Sequence, residues 1–235
     1  MLDWENIHLE NFFDVHLAIK SIPFLLGGIP MTLLVSIAGM LLGLILGLFL
    51  AMGRNSGKII FRWPSRTYIS FMRGTPLLVF LFLLYFGLPV IGIEMPGVYA
   101  AILGFGLNSA AYIAEINRSA INSIDNGQWE AAKALNMGFG FTMRKIILPQ
   151  ATRIAVPPLT NVFMDIVKGT SLAAMITVPE LFQKAQIVAG RTFDSMTMYI
   201  MVALIYWPIC IIISYMQDHL EKSTADLFRM VCKSH

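Results

Sequence analysis

Polar side chains recur at helical spacing within two strongly apolar stretches of the 235-residue chain. Residues at i, i+4 and i+7 share one face of an α-helix, so each set predicts a polar stripe along a single helix. Charged groups in apolar surroundings are stable only beside water or a partner, which predicts that the stripes line a hydrophilic cavity. Both signs of charge are present, which suits a zwitterionic solute. The stripes are Asn108, Tyr112, Glu115 and Ser119, and Asn161, Asp165 and Lys168.

A purely structural role for the same charges stays open. Asp165 and Lys168 stand three residues apart, so they can neutralise each other on one helix. Glu115 can pair in the same way with Arg118. Cavity lining and charge pairing are therefore both carried forward as interpretations of these residues.

Bond-breaking chemistry is not indicated by the sequence. Ser171 and Tyr112 lack a histidine partner in the apolar stretches that could serve as a base. His8 and His16 stand apart from any cluster of cysteines or carboxylates that would complete a metal site. The string GRNSGK at 53–58 lacks the spacing of a nucleotide-binding P-loop. We therefore predict no catalytic residue, no metal and no cofactor bound by this chain itself.

The composition indicates a membrane protein. Hydrophobic residues make up 57% of the chain and charged residues 13%, about half the charged share of soluble domains. At about 20 residues per membrane helix, the length allows roughly five spans and no second soluble domain. We predict an all-α transmembrane domain over residues 1–235 with spans at about 29–52, 68–92, 97–120, 154–178 and 195–217, the fourth interrupted by Pro157, Pro158 and Gly169.

Lysine and arginine are unevenly divided between the connections. The 53–73 connection, the 118–153 connection and the C-terminal tail hold 13 of the 17 cations, and the opposite side holds three. The positive-inside rule then predicts an N-terminus outside the cell and a C-terminus in the cytosol. The acidic N-terminus lacks a basic n-region, so no cleaved signal peptide is expected.

Two features predict how the first elements pack. Residues 10–27 have apolar side chains at helical spacing beside polar ones, which predicts an amphipathic helix on the outer membrane surface. Small residues then recur every four positions in the first span, and such a stripe allows another backbone to approach closely, within the subunit or from a partner. This stripe is Gly39, Gly43, Gly47 and Ala51.

The connection from 123 to 150 predicts a helical knob on the cytosolic side. Strong helix formers run from Glu130 to Leu135, and we expect Gly138 and Gly140 to end this helix. A second, basic helix is expected from about 141 to 148, stopped by Pro149. An apolar tip with charged flanks suits insertion into a groove of another protein.

This connection resembles the EAA coupling loop of type I ATP-driven importer permeases, and the resemblance continues along the chain. The chain is similar to the polar amino-acid permease family over most of residues 20–220, and most similar to its L-cystine branch. SIPFLLGG at 21–28 and RTFDSMTMYI at 191–200 suggest that branch. The family motifs are RGTPLL (73–78), LYFGLP (84–89), GLNSAAYIAE (106–115), SIDNGQWEAA (123–132), ILPQA (147–151), PPLTN (157–161), VKGTSLAA (167–174) and VPELFQKAQ (178–186).

The resemblance implies a MetI-like fold with five transmembrane helices per subunit in a bacterial plasma membrane. It implies a second permease subunit, cytosolic ATPases that bind ATP and magnesium, and an extracellular solute-binding protein. The implied ATPase-coupling residues are Trp129, Glu130, Ala131, Ala132, Leu135, Asn136, Met137 and Gly138, and the implied solute path adds Thr170 and Ser171 to the stripes. The solute is expected to be L-cystine, with arginine, histidine or glutamine as alternatives.

Two positions depart from the family pattern. The family has glycine where this chain has Asn136, and asparagine is the residue next best able to adopt the left-handed conformation. The family has an acid where this chain has Gly169, and Asp165 stands one helical turn earlier. We therefore expect the turn to be kept and the charge to have moved.

Other function classes follow from the same residues. An ion-coupled carrier could use Glu115, Asp165 and Lys168 as a relay without any ATPase. A membrane-embedded enzyme needs a catalytic constellation that the sequence does not contain. A structural anchor would leave the polar stripes unexplained, and the basic connections need no nucleic acid because orientation accounts for them.

Overall fold

The structure is a computed structural model that describes the backbone of residues 13–233 and the side chains of residues 13–219. Every regular element within those residues is helical. The predicted outer helix 10–27 corresponds to α1, and residues 10–12 lie outside the described part. The α-helices are α1 (Val15–Leu26), α2 (Ile29–Arg54), α3 (Ile59–Gly74), α4 (Leu77–Phe82), α5 (Gly97–Asn122), α6 (Asn126–Ala134), α7 (Phe139–Thr142), α8 (Leu148–Gly169), α9 (Leu181–Thr192) and α10 (Ser195–Lys233).

The small-residue stripe of α2 packs against α5 within the subunit. A side chain added at Gly39 would place its Cβ 3.0 Å from the Cβ of Phe105, and one at Gly47 would lie 2.7 Å from a methyl carbon of Ile113. Gly43 would collide with the hydroxyl of Ser109. The predicted close approach is therefore confirmed, and its partner is a helix of the same chain.

The second predicted span, 68–92, is a bent pair of helices. The helical segments Ile59–Gly74 and Leu77–Ile91 meet at an angle of 106°. Pro76 restricts the residue before it to extended backbone, and Thr75 accordingly has φ −104° and ψ 132°. Residues 59–67, predicted to lie in a connection, form the first part of α3. This helix forms because its apolar face, with Ile69 and Met72, is buried by the neighbouring helices.

The fourth predicted span also differs, because Pro149 does not stop the preceding helix. Residues 139–176 form one apolar helical run of 38 residues, continued beyond α8 by the 3₁₀ segment Thr170–Ile176. A π-turn at Met143–Ile147 lets the Leu148 N–H bond to the Met143 carbonyl. This local shift accommodates Pro149, which has no N–H of its own. Pro157 and Pro158 lie inside α8 without ending it.

Four helical runs in the described chain are long and apolar enough to cross a membrane, and the bent pair makes a possible fifth span. The main core lies where α2, α4 and α5 meet the 3₁₀ segment. Its fully buried members include Val35, Leu81, Ala101 and Ile176. This core fixes α5 between α2 and α8, and α5 and α8 are the two helices that carry the predicted polar stripes.

Candidate functional site

A small cavity lies between α5 and α8. It has a volume of about 240 Å³, and three of the predicted solute-path residues line it: Asn108, Tyr112 and Asp165. The remaining lining residues are Leu77, Phe105, Ser109, Val162 and Ile166. Tertiary packing thus brings the first two turns of one stripe together with the middle of the other.

Two contacts from α3 orient the α5 side of the cavity. The side-chain amide of Asn108 donates a hydrogen bond to the Met72 carbonyl at 3.0 Å. The guanidinium of Arg73 lies over the ring of Tyr112, 5.6 Å from its centroid. The sequence predicts Arg73 as a cation of the 53–73 connection. Arg73 directly precedes Gly74, Thr75 and Pro76, where α3 ends, and polar groups are common at helix ends.

Asp165 and Lys168 form an ion pair on α8 with 3.1 Å between Oδ1 and Nζ. The structural interpretation of these two charges is therefore confirmed. Asp165 also lines the cavity, so the two interpretations are compatible. The Asp165 side chain remains 76% exposed and the Lys168 side chain 53% exposed, and only Asp165 of the two lines the cavity.

Glu115 does not line this cavity. It forms ion pairs with Arg54 at the end of α2 and with Arg118 one turn further along α5, the latter at 3.1 Å. Further cations, Arg66 and Arg73, lie close enough to repel the charge of Arg54. This cluster joins the end of α2 to α5. The pairing of Glu115 with Arg118, one of the two interpretations of the sequence, is therefore observed, with Arg54 as a second partner.

The other solute-path residues are placed outside the cavity lining. Asn161 is exposed on α8. The Ser171 hydroxyl donates to the Lys168 carbonyl at 2.8 Å. Thr170 is fully buried, its hydroxyl donating to the Val167 carbonyl at 2.7 Å and lying 3.2 Å from the Tyr206 hydroxyl.

A buried acid that sequence reasoning missed lies behind Thr170. Glu180 is fully buried between the fourth and fifth spans, where its Oε1 accepts a hydrogen bond from the Gln183 N–H at 2.7 Å. Its Oε2 lies 3.0 Å from the Tyr206 hydroxyl. Burial raises the pKa of this carboxyl, and the N–H groups of Phe182 and Gln183 and the hydrogen bond with Tyr206 partly oppose that rise. The only sequence signal was the turn-forming Pro179 in front of a helix.

The coupling loop folds as two short helices joined by a tight turn. Asp125 caps α6 by accepting from the Gly127 N–H at 2.6 Å. Asn136 ends α6 with φ 55°, and the Asn136 and Met137 N–H groups bond back to the Lys133 and Ala132 carbonyls. This is a Schellman motif with asparagine at the left-handed position. The prediction that Asn136 keeps the turn is confirmed.

The glycines of the loop have a different role from the one expected. Gly138 has φ −65° and caps the start of α7, and Gly140 lies within α7. Neither glycine ends α6, because Asn136 has already reversed the chain. Trp129 of α6 stacks on Phe139 of α7, with 5.9 Å between ring centroids.

The surface of this loop combines charge with exposed apolar side chains. Glu130 and Ala131 are exposed, and Leu135 and Phe139 are 75% and 71% exposed. Ala132, predicted as an ATPase-coupling residue, is only 2% exposed, so its side chain packs within its own subunit. The remaining face is a candidate protein-binding surface, because large apolar residues cost least when a partner covers them.

Comparison with known proteins identifies the family. The family described as "Binding-protein-dependent transport system inner membrane component" matches residues 39–226. The chain belongs to this family. Such permeases span the membrane several times and work with ATPase and binding-protein partners, and they are transport components rather than enzymes.

Relatives narrow the class to amino-acid ABC transporter permeases. The chain is 58% identical over 220 residues, 94% of this chain and 97% of the relative, to the probable amino-acid ABC transporter permease protein YckA of Bacillus subtilis (strain 168). It is 41% identical over 201 residues, 85% of this chain and 86% of the relative, to the L-cystine transport system permease protein TcyB of the same organism. This chain is therefore an amino-acid ABC transporter permease.

A solved structure confirms the predicted fold class. One chain of the crystal structure of an amino acid ABC transporter with histidines superposes on this permease with a TM-score of 0.86 and 33% sequence identity, covering 89% of this chain and 98% of that one. The all-helical MetI-like permease fold expected from the sequence is therefore the fold observed.

Proposed function

We propose that this permease passes L-cystine through the cavity between α5 and α8. The observation that carries the proposal is the placement of opposite charges around one aromatic ring. Tyr112 and Asp165 line the cavity, and Arg73 lies over the Tyr112 ring. An acid can hold a solute ammonium group and a guanidinium can hold its carboxylate.

The charge of Arg73 supports the same proposal. A guanidinium beside an apolar cavity lining is favoured where water or an anion accompanies it. A passing carboxylate meets that need. Asn108 uses one amide hydrogen on the Met72 carbonyl, which leaves its second N–H and its carbonyl oxygen available to the solute. L-Cystine is a double zwitterion, and the similarity to an L-cystine permease protein supports it over arginine, histidine or glutamine.

The coupling loop is proposed as the site where cytosolic ATPases act. Glu130 and the exposed apolar residues Leu135 and Phe139 would enter a groove on the ATPase, which binds ATP and magnesium. The Schellman turn at Asn136 and the Trp129–Phe139 stack make the loop rigid enough to transmit force. The permease itself would bind no cofactor.

A second permease subunit and a binding protein complete the proposed assembly. Alternating access would arise when the ATPases close on two coupling loops and turn the cavities outward, with hydrolysis resetting them. The orientation proposed from the cation distribution places the N-terminus and the binding protein outside and the loop in the cytosol.

Uptake into proteoliposomes tests the solute. The complete transporter would be reconstituted with its ATPase and binding protein, and radiolabelled L-cystine, arginine, histidine and glutamine would be supplied with ATP. We expect ATP-dependent accumulation of L-cystine above the other three. Preferential accumulation of another amino acid would reject L-cystine and retain the permease function.

The ion-coupled alternative is tested in the same vesicles. ATP would be removed while the proton or sodium gradient is held. We expect uptake to stop, because the proposed force enters through the coupling loop. Undiminished uptake under these conditions would favour an ion-coupled carrier.

A further inference from the structure

A buried carboxyl group lies at the start of α9, and no cation pairs with it among the side chains that the structure describes. Glu180 is fully buried, and none of the ion pairs found among the described side chains includes it. The elements packed around it supply few charges. α1 carries His16 and Lys20, and both are exposed. α2 carries none before Arg54, α10 none from Ser195 to Gln217, and the nearest chain segments carry Lys168 and Lys184.

Both of those lysines are engaged elsewhere. Lys168 pairs with Asp165, and the Lys184 ammonium lies 4.8 Å from the ring centroid of Phe24. Removing an ionised carboxylate from water without a counter-charge costs far more free energy than removing a neutral one. The surroundings of Glu180 therefore favour its protonated form.

Counting hydrogens leads to the same result. Three oxygen–oxygen contacts run in series from Glu180 Oε2 to Tyr206 (3.0 Å), from Tyr206 to Thr170 (3.2 Å) and from Thr170 to the Val167 carbonyl (2.7 Å). The hydroxyl groups of Tyr206 and Thr170 supply two hydrogens. The Thr170 hydrogen lies in the shortest contact, the one to the Val167 carbonyl. An ionised Glu180 would leave one of the three contacts without a hydrogen.

We infer that Glu180 is a neutral acid that donates to Tyr206, which donates to Thr170, which donates to the Val167 carbonyl. Every contact in the series then has one hydrogen. The two carboxyl oxygens divide accordingly: Oε1 is the carbonyl that accepts from the Gln183 N–H at 2.7 Å, and Oε2 is the hydroxyl. The direction in which burial moves the pKa of Glu180 agrees with this assignment.

This chain of bonds makes Glu180 a positioning residue for α8. Thr170 directly follows Gly169, the last residue of α8, and α8 carries Asp165 and Lys168. Tyr206 belongs to α10, and Glu180 caps α9. The neighbouring contact from the Leu181 N–H to the Thr32 hydroxyl, 3.3 Å, adds the start of α2. Four elements thus meet at one neutral acid, which fixes the end of the helix that lines the cavity.

Infrared spectroscopy of the purified transporter complex tests the protonation state directly. At neutral pH we expect a carbonyl stretch of a protonated carboxyl group that is lost in Glu180→Gln and retained in Glu130→Gln, an exposed acid of the coupling loop. Absence of that difference between the wild type and Glu180→Gln would overturn the inference. This readout is independent of the proposed solute and of transport.

The pH dependence of unfolding is a second test that does not need transport. A raised pKa in the folded state means that folded Glu180 keeps a proton that the unfolded chain releases. Its contribution to stability is complete below the unfolded pKa and is lost as pH rises toward the folded pKa. We expect the melting temperature of the wild type to fall, relative to that of Glu180→Gln, as pH rises from acid to neutral. A difference that is constant or rises with pH would contradict a neutral Glu180.

Uptake kinetics test the positioning role, and this part rests on the proposed function. Glutamine keeps one donor and one acceptor, so Glu180→Gln is expected to retain uptake within about twofold. Glu180→Leu and Tyr206→Phe break the series and are expected to lower the maximal rate by about tenfold or more for protein that still reaches the membrane. Equal loss in Glu180→Gln and Glu180→Leu would reject the role, whereas no uptake by the wild type would instead reject the proposed function.

Discussion

The guanidinium of Arg73 lies over the ring of Tyr112, 5.6 Å from its centroid, and Tyr112 shares its cavity with Asp165. Arg73 lies in the last turn of α3 at the bend of the second span, so the bend brings a cation to the face of α5 that carries the polar stripe. A guanidinium on an aromatic face keeps most of its donors free. It is therefore available to a carboxylate that enters the cavity.

Replacing Arg73 should weaken solute binding more than it lowers the stability of the protein. A hydrogen bond to a charged group is worth about 1.5–3 kcal/mol, so Arg73→Gln should raise the KM for uptake by about tenfold or more. Tyr112→Phe keeps the ring under the guanidinium and should change KM by less than about threefold. The measurement is concentration-dependent uptake in proteoliposomes. An unchanged KM in Arg73→Gln would remove Arg73 from the solute path.

Replacing Asp165 tests the other sign of charge. Asp165→Asn removes the charge at the cavity and leaves an isosteric side chain, so KM should rise about tenfold if the carboxylate holds an ammonium group. Lys168→Gln is the matched control, because it breaks the same surface ion pair, which is worth at most about 1 kcal/mol at this exposure. Similar kinetics in both variants would show that only the ion pair matters.

Glu115 should matter for stability and not for solute affinity. It holds Arg54 and Arg118 at the end of the α2–α5 pair, and its removal leaves both arginines without this carboxylate partner. We expect Glu115→Leu to lower the free energy of unfolding by about 1–3 kcal/mol after allowing for partial exposure, observed as a lower melting temperature, while KM stays unchanged. A double-mutant cycle with Arg54→Met gives the pair energy. A KM change at normal stability would place Glu115 in the solute path after all.

Charge reversal in the coupling loop should uncouple the permease from its ATPase. Glu130→Lys leaves the fold intact because Glu130 is exposed, yet we expect it to abolish uptake and co-purification of the ATPase. Asn136→Gly is the matched control within the loop, since glycine also adopts φ 55°. Asn136→Val should lower the free energy of unfolding by about 1 kcal/mol or more and weaken coupling to the ATPase. Normal uptake by Glu130→Lys would defeat the docking proposal.

How much of this molecule its sequence predicts depends on whether a property is local. The composition and the placement of cations set the membrane class and the helices, because partition into a bilayer depends on each segment alone. The loop turn was also predictable: Asn136 stands where a left-handed residue is needed, and the backbone does take φ 55° there. The prediction that Pro149 ends the helix was wrong because the π-turn Met143–Ile147 just before it accommodates a residue without an N–H.

Only tertiary structure decided which polar groups meet. Spacing along α5 places Asn108, Tyr112 and Glu115 on one face. The axial offset of α2, however, brings Arg54 to Glu115, and Glu115 is thereby separated from the cavity. The 106° bend carries Arg73 to Tyr112, and the packing of four elements buries Glu180. These outcomes depend on the rotation and offset of one helix against another, which residue spacing within a single helix does not specify.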